Sequence, residues 1–318
     1  MSGETKEVIN KKSSSKIVLE VLQIIAESLL LILKIFFYIG ESLYKILVPP
    51  TLKEVKGKVV LITGTGHGIG RELALLYAAE GATVVGWDLN DKGNKETQEE
   101  IVQNKYQKCY FYKCDVSDRE QVFRTAKAMR KEVGKVDILI NNAGIMPCHA
   151  LLDHTPDEID RIFKVNVYAH IWTIEAFLPD MMKNNEGHIV ALSSCAGLFG
   201  IRNLAPYCAS KFAVAGLMES LFEELHSNPN NRIQLTTLFP YMTNTGLCRK
   251  PKIKFENAMP MLVPSELAKE IMKAQRSDQF EVGVPNYLTT VNNYARLLPR
   301  NAQIAVQDFF NTYVEADL

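Results

Sequence analysis

The chain has 318 residues, 47% hydrophobic and 23% charged, and its 36 Lys and Arg balance 36 Asp and Glu for a formal net charge of zero. These values match an ordinary folded protein and exclude a disordered chain, a collagen-like repeat or a bundle made only of membrane helices. With no positive excess, and no helix-turn-helix or zinc-finger pattern, nucleic acid is not an expected partner. Six cysteines (Cys109, Cys114, Cys148, Cys195, Cys208 and Cys248) are irregularly spaced without a C-x-x-C pair, so reduced packing residues are expected. His67, His149, His154 and His170 show no metal-ligand spacing, and no metal is expected.

After a polar tail, residues 1–16, the stretch from Ile17 to Val48 is dominated by Ile, Leu, Val and Phe, and Pro49-Pro50 ends it. As a helix it would be about 48 Å long at about 1.5 Å per residue. It is too long for a removable signal peptide and lacks a small-residue cleavage site. Glu20, Glu27, Lys34 and Glu41 fall at seven-residue intervals, so they form one narrow polar stripe on an otherwise apolar helix. Such a helix is expected to anchor the chain to a membrane or lipid-droplet surface. Lying flat is favoured because no uncharged run reaches the 18 or so residues of a plain spanning helix. Packing on the protein's own core, or a coiled-coil seam, is the alternative. Lysines flank both ends, so orientation stays open.

From Lys56 the pattern changes. Lys58 to Thr63 is a short β-branched run that leads into Gly64-Thr65-Gly66-His67-Gly68-Ile69-Gly70 and then a helical pattern. Strand, glycine turn and helix in that order form a phosphate cradle, where backbone approaches a pyrophosphate and helix N–H groups favour its charge. The next strand ends in Asp88, placed to bind adenosine ribose hydroxyls and repel a 2′-phosphate, so NAD is expected over NADP. Neither Thr65 nor Leu89 is basic, which agrees, although Lys92 lies nearby.

Further strands are read at residues 110–114, 136–140, 188–192 and 233–238. Ser117 to Glu120 reads as a capping box, and Thr155-Pro156-Asp157-Glu158 as a second one opening a long helix through Asn166. The expected fold is therefore α/β: a single doubly wound Rossmann-type parallel sheet with helices on both faces, preceded by the hydrophobic helix.

Tyr207-Cys208-Ala209-Ser210-Lys211 places Tyr and Lys one helical turn apart. With Thr63-Gly-x-x-x-Gly-x-Gly70, Asn141-Asn142-Ala143-Gly144 and Ser193-Ser194, this order resembles the short-chain dehydrogenase/reductase family over residues 56–285. The resemblance implies Tyr207 as acid/base, Lys211 tuning it and binding the nicotinamide ribose, and Ser194 holding the substrate oxygen. Asn166 would fix a water linking Lys211 to solvent. It also implies cofactor contacts at Gly64, Gly68, Ile69, Gly70, Asp88, Asp115, Val116, Asn142, Gly144 and Thr245. The chemistry agrees, because a free phenol is too weakly ionised near neutral pH, and an adjacent ammonium together with the nicotinamide's own positive charge would lower its pKa. The family often has Pro-Gly where this chain has Pro240-Tyr241, which leaves the conformation of that loop open.

Trp87-Asp88, Ala169-His170-Ile171-Trp172-Thr173, Ala176-Phe177-Leu178-Pro179 with Lys183-Asn184-Asn185, and Asn244-Thr245-Gly246 are similar to one subgroup. It contains the type 11 and 13 17β-hydroxysteroid dehydrogenases and epidermal retinol dehydrogenase 2. The subgroup implies an N-terminal anchor in the endoplasmic reticulum membrane or lipid droplet, a cytosol-facing domain, and bulky apolar alcohols such as retinol or steroids as substrates. A substrate lid is expected at about 246–262, where Arg249, Lys250, Lys252 and Lys254 alternate with apolar residues and would touch headgroups, and a helical C-terminal extension at 286–318. A homodimer is a further expectation. The rival readings are an NADPH-dependent reductase of long-chain keto-lipids and a catalytically idle droplet scaffold.

Overall fold

Residues 3–48, 50–106 and 108–316 are described by the structure, a computed structural model. Pro49, expected to help stop the first helix, lies outside them. The chain divides into two compact units, residues 1–51 and 52–318.

The first unit is one helix, α1 (Gly3–Leu47), which begins within the polar stretch read as a tail. From Lys16 to Lys45 its mean hydropathy is 2.0 and none of it is buried in the protein, so it is long and apolar enough to cross a membrane. The polar stripe satisfies itself along the helix: Gln23 Nε2 donates to Glu27 at 2.7 Å, and Lys45 pairs with Glu41 at 2.7 Å. Both are one-turn contacts.

In the second unit, β1 (Val59–Thr63) runs through the glycine loop into α2 (Gly68–Ala79), followed by β2 (Thr83–Asp88), α3 (Asp91–Gln103), β3 (Cys109–Lys113), α4 (Arg119–Glu132) and β4 (Ile138–Asn141). α5 (Pro156–Phe163) passes through one π-helical turn, Lys164–Tyr168, into α6 (Ala169–Asn184). β5 (Gly187–Leu192), α7 (Ala205–His226), β6 (Ile233–Pro240), β7 (Pro251–Lys252), α8 (Pro264–Arg276) and β8 (Glu281–Val284) follow. The chain closes with α9 (Tyr287–Arg296), α10 (Arg300–Phe310) and β9 (Tyr313–Val314).

Seven of these strands form one parallel sheet in the order β3-β2-β1-β4-β5-β6-β8. Alternation along each strand assigns its side chains to opposite layers. Leu61, Leu139 and Ile189 pack with Val122, Phe177, Val214 and Met218 of α4, α6 and α7. Val60, Ile62 and Ile140 pack with Leu73, Tyr77, Ile101 and Ile271 of α2, α3 and α8. Each such aliphatic side chain, fully removed from water, contributes about 1.5–3 kcal/mol. The strand order reverses between β1 and β4, which opens a crevice beyond their carboxyl ends.

Three details differ from the sequence reading. Thr155 and Glu158 do form a reciprocal capping box, but α4 is capped by Asp118, which accepts from the Gln121 N–H at 3.1 Å. Ser117 turns instead to Asp115, donating its hydroxyl at 2.6 Å. Strand β8 was not anticipated; its short Glu281-Val282-Gly283-Val284 run gives a weak signal, and pairing with β6 makes it a strand. The C-terminal extension is not wholly helical, because β9 pairs antiparallel with β7.

Candidate functional site

The crevice is built from the glycine loop outward. Gly64 (φ +79°) and Gly68 (φ +59°) occupy the left-handed region that side chains disfavour. A Cβ on Gly70 would lie 2.0 Å from the Gly64 carbonyl oxygen, so only glycine lets α2 start this close to β1. Asn142 ties the loop to β4: its Nδ2 donates to the carbonyls of Thr63 at 2.8 Å and Gly64 at 3.2 Å. Thr63 Oγ1 answers by accepting the N–H groups of Asn142 at 3.0 Å and Ala143 at 3.1 Å.

At the end of β2, Asp88 Oδ2 accepts the Gly66 N–H at 2.8 Å and Oδ1 the Asn90 N–H at 2.7 Å. Each carboxylate oxygen can accept a further hydrogen bond, and Asp88 lines the crevice. Lys92 is exposed and directed along α3, 3.8 Å from Glu96.

The crevice encloses about 290 Å³ and brings together Gly64, Gly68, Ile69, Asp88, Asp115, Val116, Asn142, Gly144, Ser194, Tyr207, Lys211 and Thr245. Gly70 and Asn166 lie behind its wall. The loop after β6 needs no glycine: Tyr241 donates its N–H to Val284 O at 2.8 Å and is not among the described residues with positive φ. Thr245 packs against the glycine loop, 3.2 Å from where a Gly68 Cβ would stand.

Tyr207 sits in the first turn of α7, where the helix dipole favours negative charge. It is 6% exposed, and Lys211 4%. Lys211 Nζ donates to Leu192 O at 2.8 Å and lies 5.7 Å from the Tyr207 ring centroid. Ser193 Oγ donates to the Lys211 carbonyl at 2.8 Å, fixing α7 against the end of β5. Ser194 is held on the other side, its Oγ accepting the Ala196 N–H at 3.2 Å.

Burial drives the Tyr207 phenol well above its ordinary value, opposed by the Ser194 hydroxyl, and the nearby Lys211 does not reverse this. Burial also brings Lys211 itself down to about 8. A desolvated phenol beside a desolvated amine needs further positive charge before it ionises.

Asn166, in the π-helical turn, is fully buried. Its Nδ2 donates to Ile145 O and to Ser210 Oγ, both at 3.0 Å, and its Oδ1 accepts the Ile145 N–H at 2.9 Å. These contacts join the segment after β4 to α7 through the Asn166 side chain. A Cβ on Gly144 would stand 3.4 Å from Asn166 Oδ1 and 3.7 Å from Lys211 Nζ, ordinary contact distances.

Sequence reading missed Thr63, Gly66 and Ser193 as organising residues, although all three lie inside the motifs it singled out. Val314 also lines the crevice; nothing in the local sequence marks it.

The glycine cradle, the Asp88 carboxylate and the Ser-Tyr-Lys group fit a nicotinamide dinucleotide. The family model for short chain dehydrogenases matches residues 58–254. Among curated proteins, the chain is 40% identical over 277 residues to short-chain dehydrogenase/reductase family 16C member 6 of Bos taurus, covering 87% of each chain. It is 38% identical to epidermal retinol dehydrogenase 2 of Mus musculus, covering 87% of this chain and 92% of that one. It is 36% identical to retinol dehydrogenase 10 of Homo sapiens, covering 91% and 92%. Among solved structures, a short chain dehydrogenase/reductase from Burkholderia phymatum in complex with NAD superposes with a TM-score of 0.69 at 28% identity, covering 80% of this chain and 96% of that one. The sheet order, the glycine cradle, the Ser-Tyr-Lys group and these likenesses agree, and the chain belongs to the short-chain dehydrogenase/reductase family.

Proposed function

We propose that this protein oxidises a bulky apolar alcohol, of retinol or 17β-hydroxysteroid type, to its carbonyl with NAD at a membrane or lipid-droplet surface. The observation that carries the reading is the convergence of Ser194, Tyr207 and Lys211 between the dinucleotide cradle and a wall that includes Ile201, Leu204, Met242 and Val314. The relatives named retinol dehydrogenases, and the unburied apolar length of α1, support the substrate class and the lipid surface.

Gly64, Gly68, Ile69, Asp88, Asp115, Val116, Asn142, Gly144 and Thr245 would hold the dinucleotide, with Gly70 shaping the cradle. When bound, NAD accepts the hydride that leaves the alcohol carbon. Ser194 donates a hydrogen bond to the substrate oxygen and steadies its developing charge. Tyr207 takes the hydroxyl proton. Lys211, which titrates within reach of neutral pH, supplies positive charge behind Tyr207 and a donor for a ribose hydroxyl. Asn166 fixes the backbone at Ile145 and the α7 turn that carries both residues. Residues 246–262 cover the substrate end through Leu247 and Cys248.

The test offers retinol, steroid and fatty alcohols with NAD or NADP to detergent-solubilised protein and follows reduced cofactor and carbonyl product. Replacing Tyr207 with Phe is expected to cut turnover by about 10²-fold or more with NAD still bound. Turnover only as NADPH-dependent ketone reduction would reassign the enzyme as a keto-lipid reductase. Bound NAD without any turnover would leave a scaffold.

A further inference from the structure

The substrate end of the crevice is closed by a segment more than a hundred residues beyond the Tyr-Lys motif. β9 pairs with β7, with Val314 opposite Pro251 and Tyr313 opposite Lys252. The Glu315 N–H donates to Lys250 O at 3.0 Å, and Lys252 Nζ lies 3.2 Å from the Glu315 carboxylate. Two other segments grip the same strand. Asn203 Nδ2 donates to Val314 O at 2.8 Å, Cys148 Sγ to Glu315 O at 3.2 Å, and the Arg202 guanidinium lies 3.7 Å from the Tyr313 ring centroid. Lys254 Nζ reaches back to Phe309 O at 2.9 Å. Lys250 Nζ donates to Ala316 O at 3.5 Å, so all three lysines expected to face headgroups are bound to the C-terminal segment.

These contacts use backbone groups and side chains other than that of Val314. The Val314 side chain is 1% exposed, lines the crevice, and belongs to the apolar cluster containing Tyr207 and Met242. A β-branched residue on a strand clamped from three directions is a stiff wall, because its χ1 has little freedom and its backbone cannot retreat. We propose that Val314 sets the length of apolar alcohol the site accepts, with β9 as the strap that holds it in place. This rests on the reading of the site as one for apolar alcohols.

In an apolar pocket one methylene changes specificity by about 10–200-fold, so a change of wall volume reads out in substrate length. The experiment compares wild type, Val314→Ala and Val314→Phe, in the full chain, against a homologous series of secondary alcohols of increasing length. Both kcat/KM and calorimetric affinity of the NAD-loaded protein are measured. The long-to-short ratio is expected to rise about tenfold or more in Val314→Ala and to fall about tenfold or more in Val314→Phe, with NAD affinity unchanged. Asn203→Ala, which frees the strap without altering the wall, is expected to flatten the length dependence. An unchanged ratio in both Val314 variants, or equal loss at every length, would overturn the proposal. Should no alcohol be turned over by wild type, the functional reading fails while the affinity series still decides the role of Val314. Absence of alcohol binding at any length would overturn both.

Discussion

At the scale of one residue, the proposed preference for NAD rests on Asp88. Its carboxylate orders the glycine loop through Gly66 and the start of α3 through Asn90, and it lines the crevice. A hydrogen bond from ribose to this charged acceptor is worth about 1.5–3 kcal/mol, and the same charge repels a 2′-phosphate. Replacing Asp88 with Ser is therefore expected to weaken NAD binding by about tenfold or more and to narrow the gap to NADP, read by fluorescence titration of both cofactors. Unchanged discrimination would move the preference elsewhere in the loop. Tyr207 shows the opposite lesson about charge. Its motif pairs the phenol with Lys211, and burial opposes ionisation of both groups. Under the proposed function, the cofactor's positive charge beside the pair would favour the phenolate.

Elements place these residues by being interrupted at the right points. The π-helical turn between α5 and α6 buries Asn166, which then locks the Ile145 backbone to α7. Such turns are costly and occur often at functional sites. The sequence pattern predicts a helix opened at Thr155 and running through Asn166, and the π-helical turn that carries Asn166 leads on into α6. Helix α1 is the converse case: its composition sets its character, and its described apolar stretch from Lys16 to Lys45 is unburied. The full chain is expected to float with phospholipid vesicles in a density gradient, and a chain beginning at Leu52 to remain at the bottom. Flotation of both would locate the lipid contact in the second unit instead.

Across the whole molecule, acid sensitivity follows from two buried histidines. His170 is held to about 3, first by burial and then by the charge of Lys211; among the described residues neither ring nitrogen has a hydrogen-bond partner. His188 is likewise held to about 3 by burial and Lys53, with Thr236 Oγ1 2.8 Å from Nε2 and Gln275 Nε2 3.3 Å from Nδ1. An unfolded histidine titrates near 6.5, so between about 6.5 and 3 the unfolded chain binds more protons than the folded one. Stability is fully present above 6.5 and falls as pH drops through that window, by up to about 1.4 kcal/mol per pH unit for each ring. The Glu158 and Glu186 carboxyls, held low by Thr155 and Lys58 respectively, add to the loss only below their ordinary value of 4.5. Urea midpoints are expected to decline between pH 6.5 and 5; a flat profile would mean that both rings are solvated in the folded protein.

The sequence by itself determined whatever depends on local stereochemistry or short spacing. The parallel strands follow from β-branched runs, the cradle from glycines at 64, 68 and 70, the α5 start from Thr155 and Glu158, and the Tyr-Lys face of α7 from a four-residue interval. It also determined that α1 is separate in character, because composition is a local property. Tertiary structure alone decided what depends on contacts between distant segments. Strand β8 exists because β6 pairs with it, Asn166 is buried where Ile145 and Ser210 meet it, and the Lys211 pKa is lowered because burial removes it from water. Val314 reaches the substrate end because three separate loops hold β9 across it. Such contacts join segments from 21 to 167 residues apart, and local sequence patterns carry no signal for them.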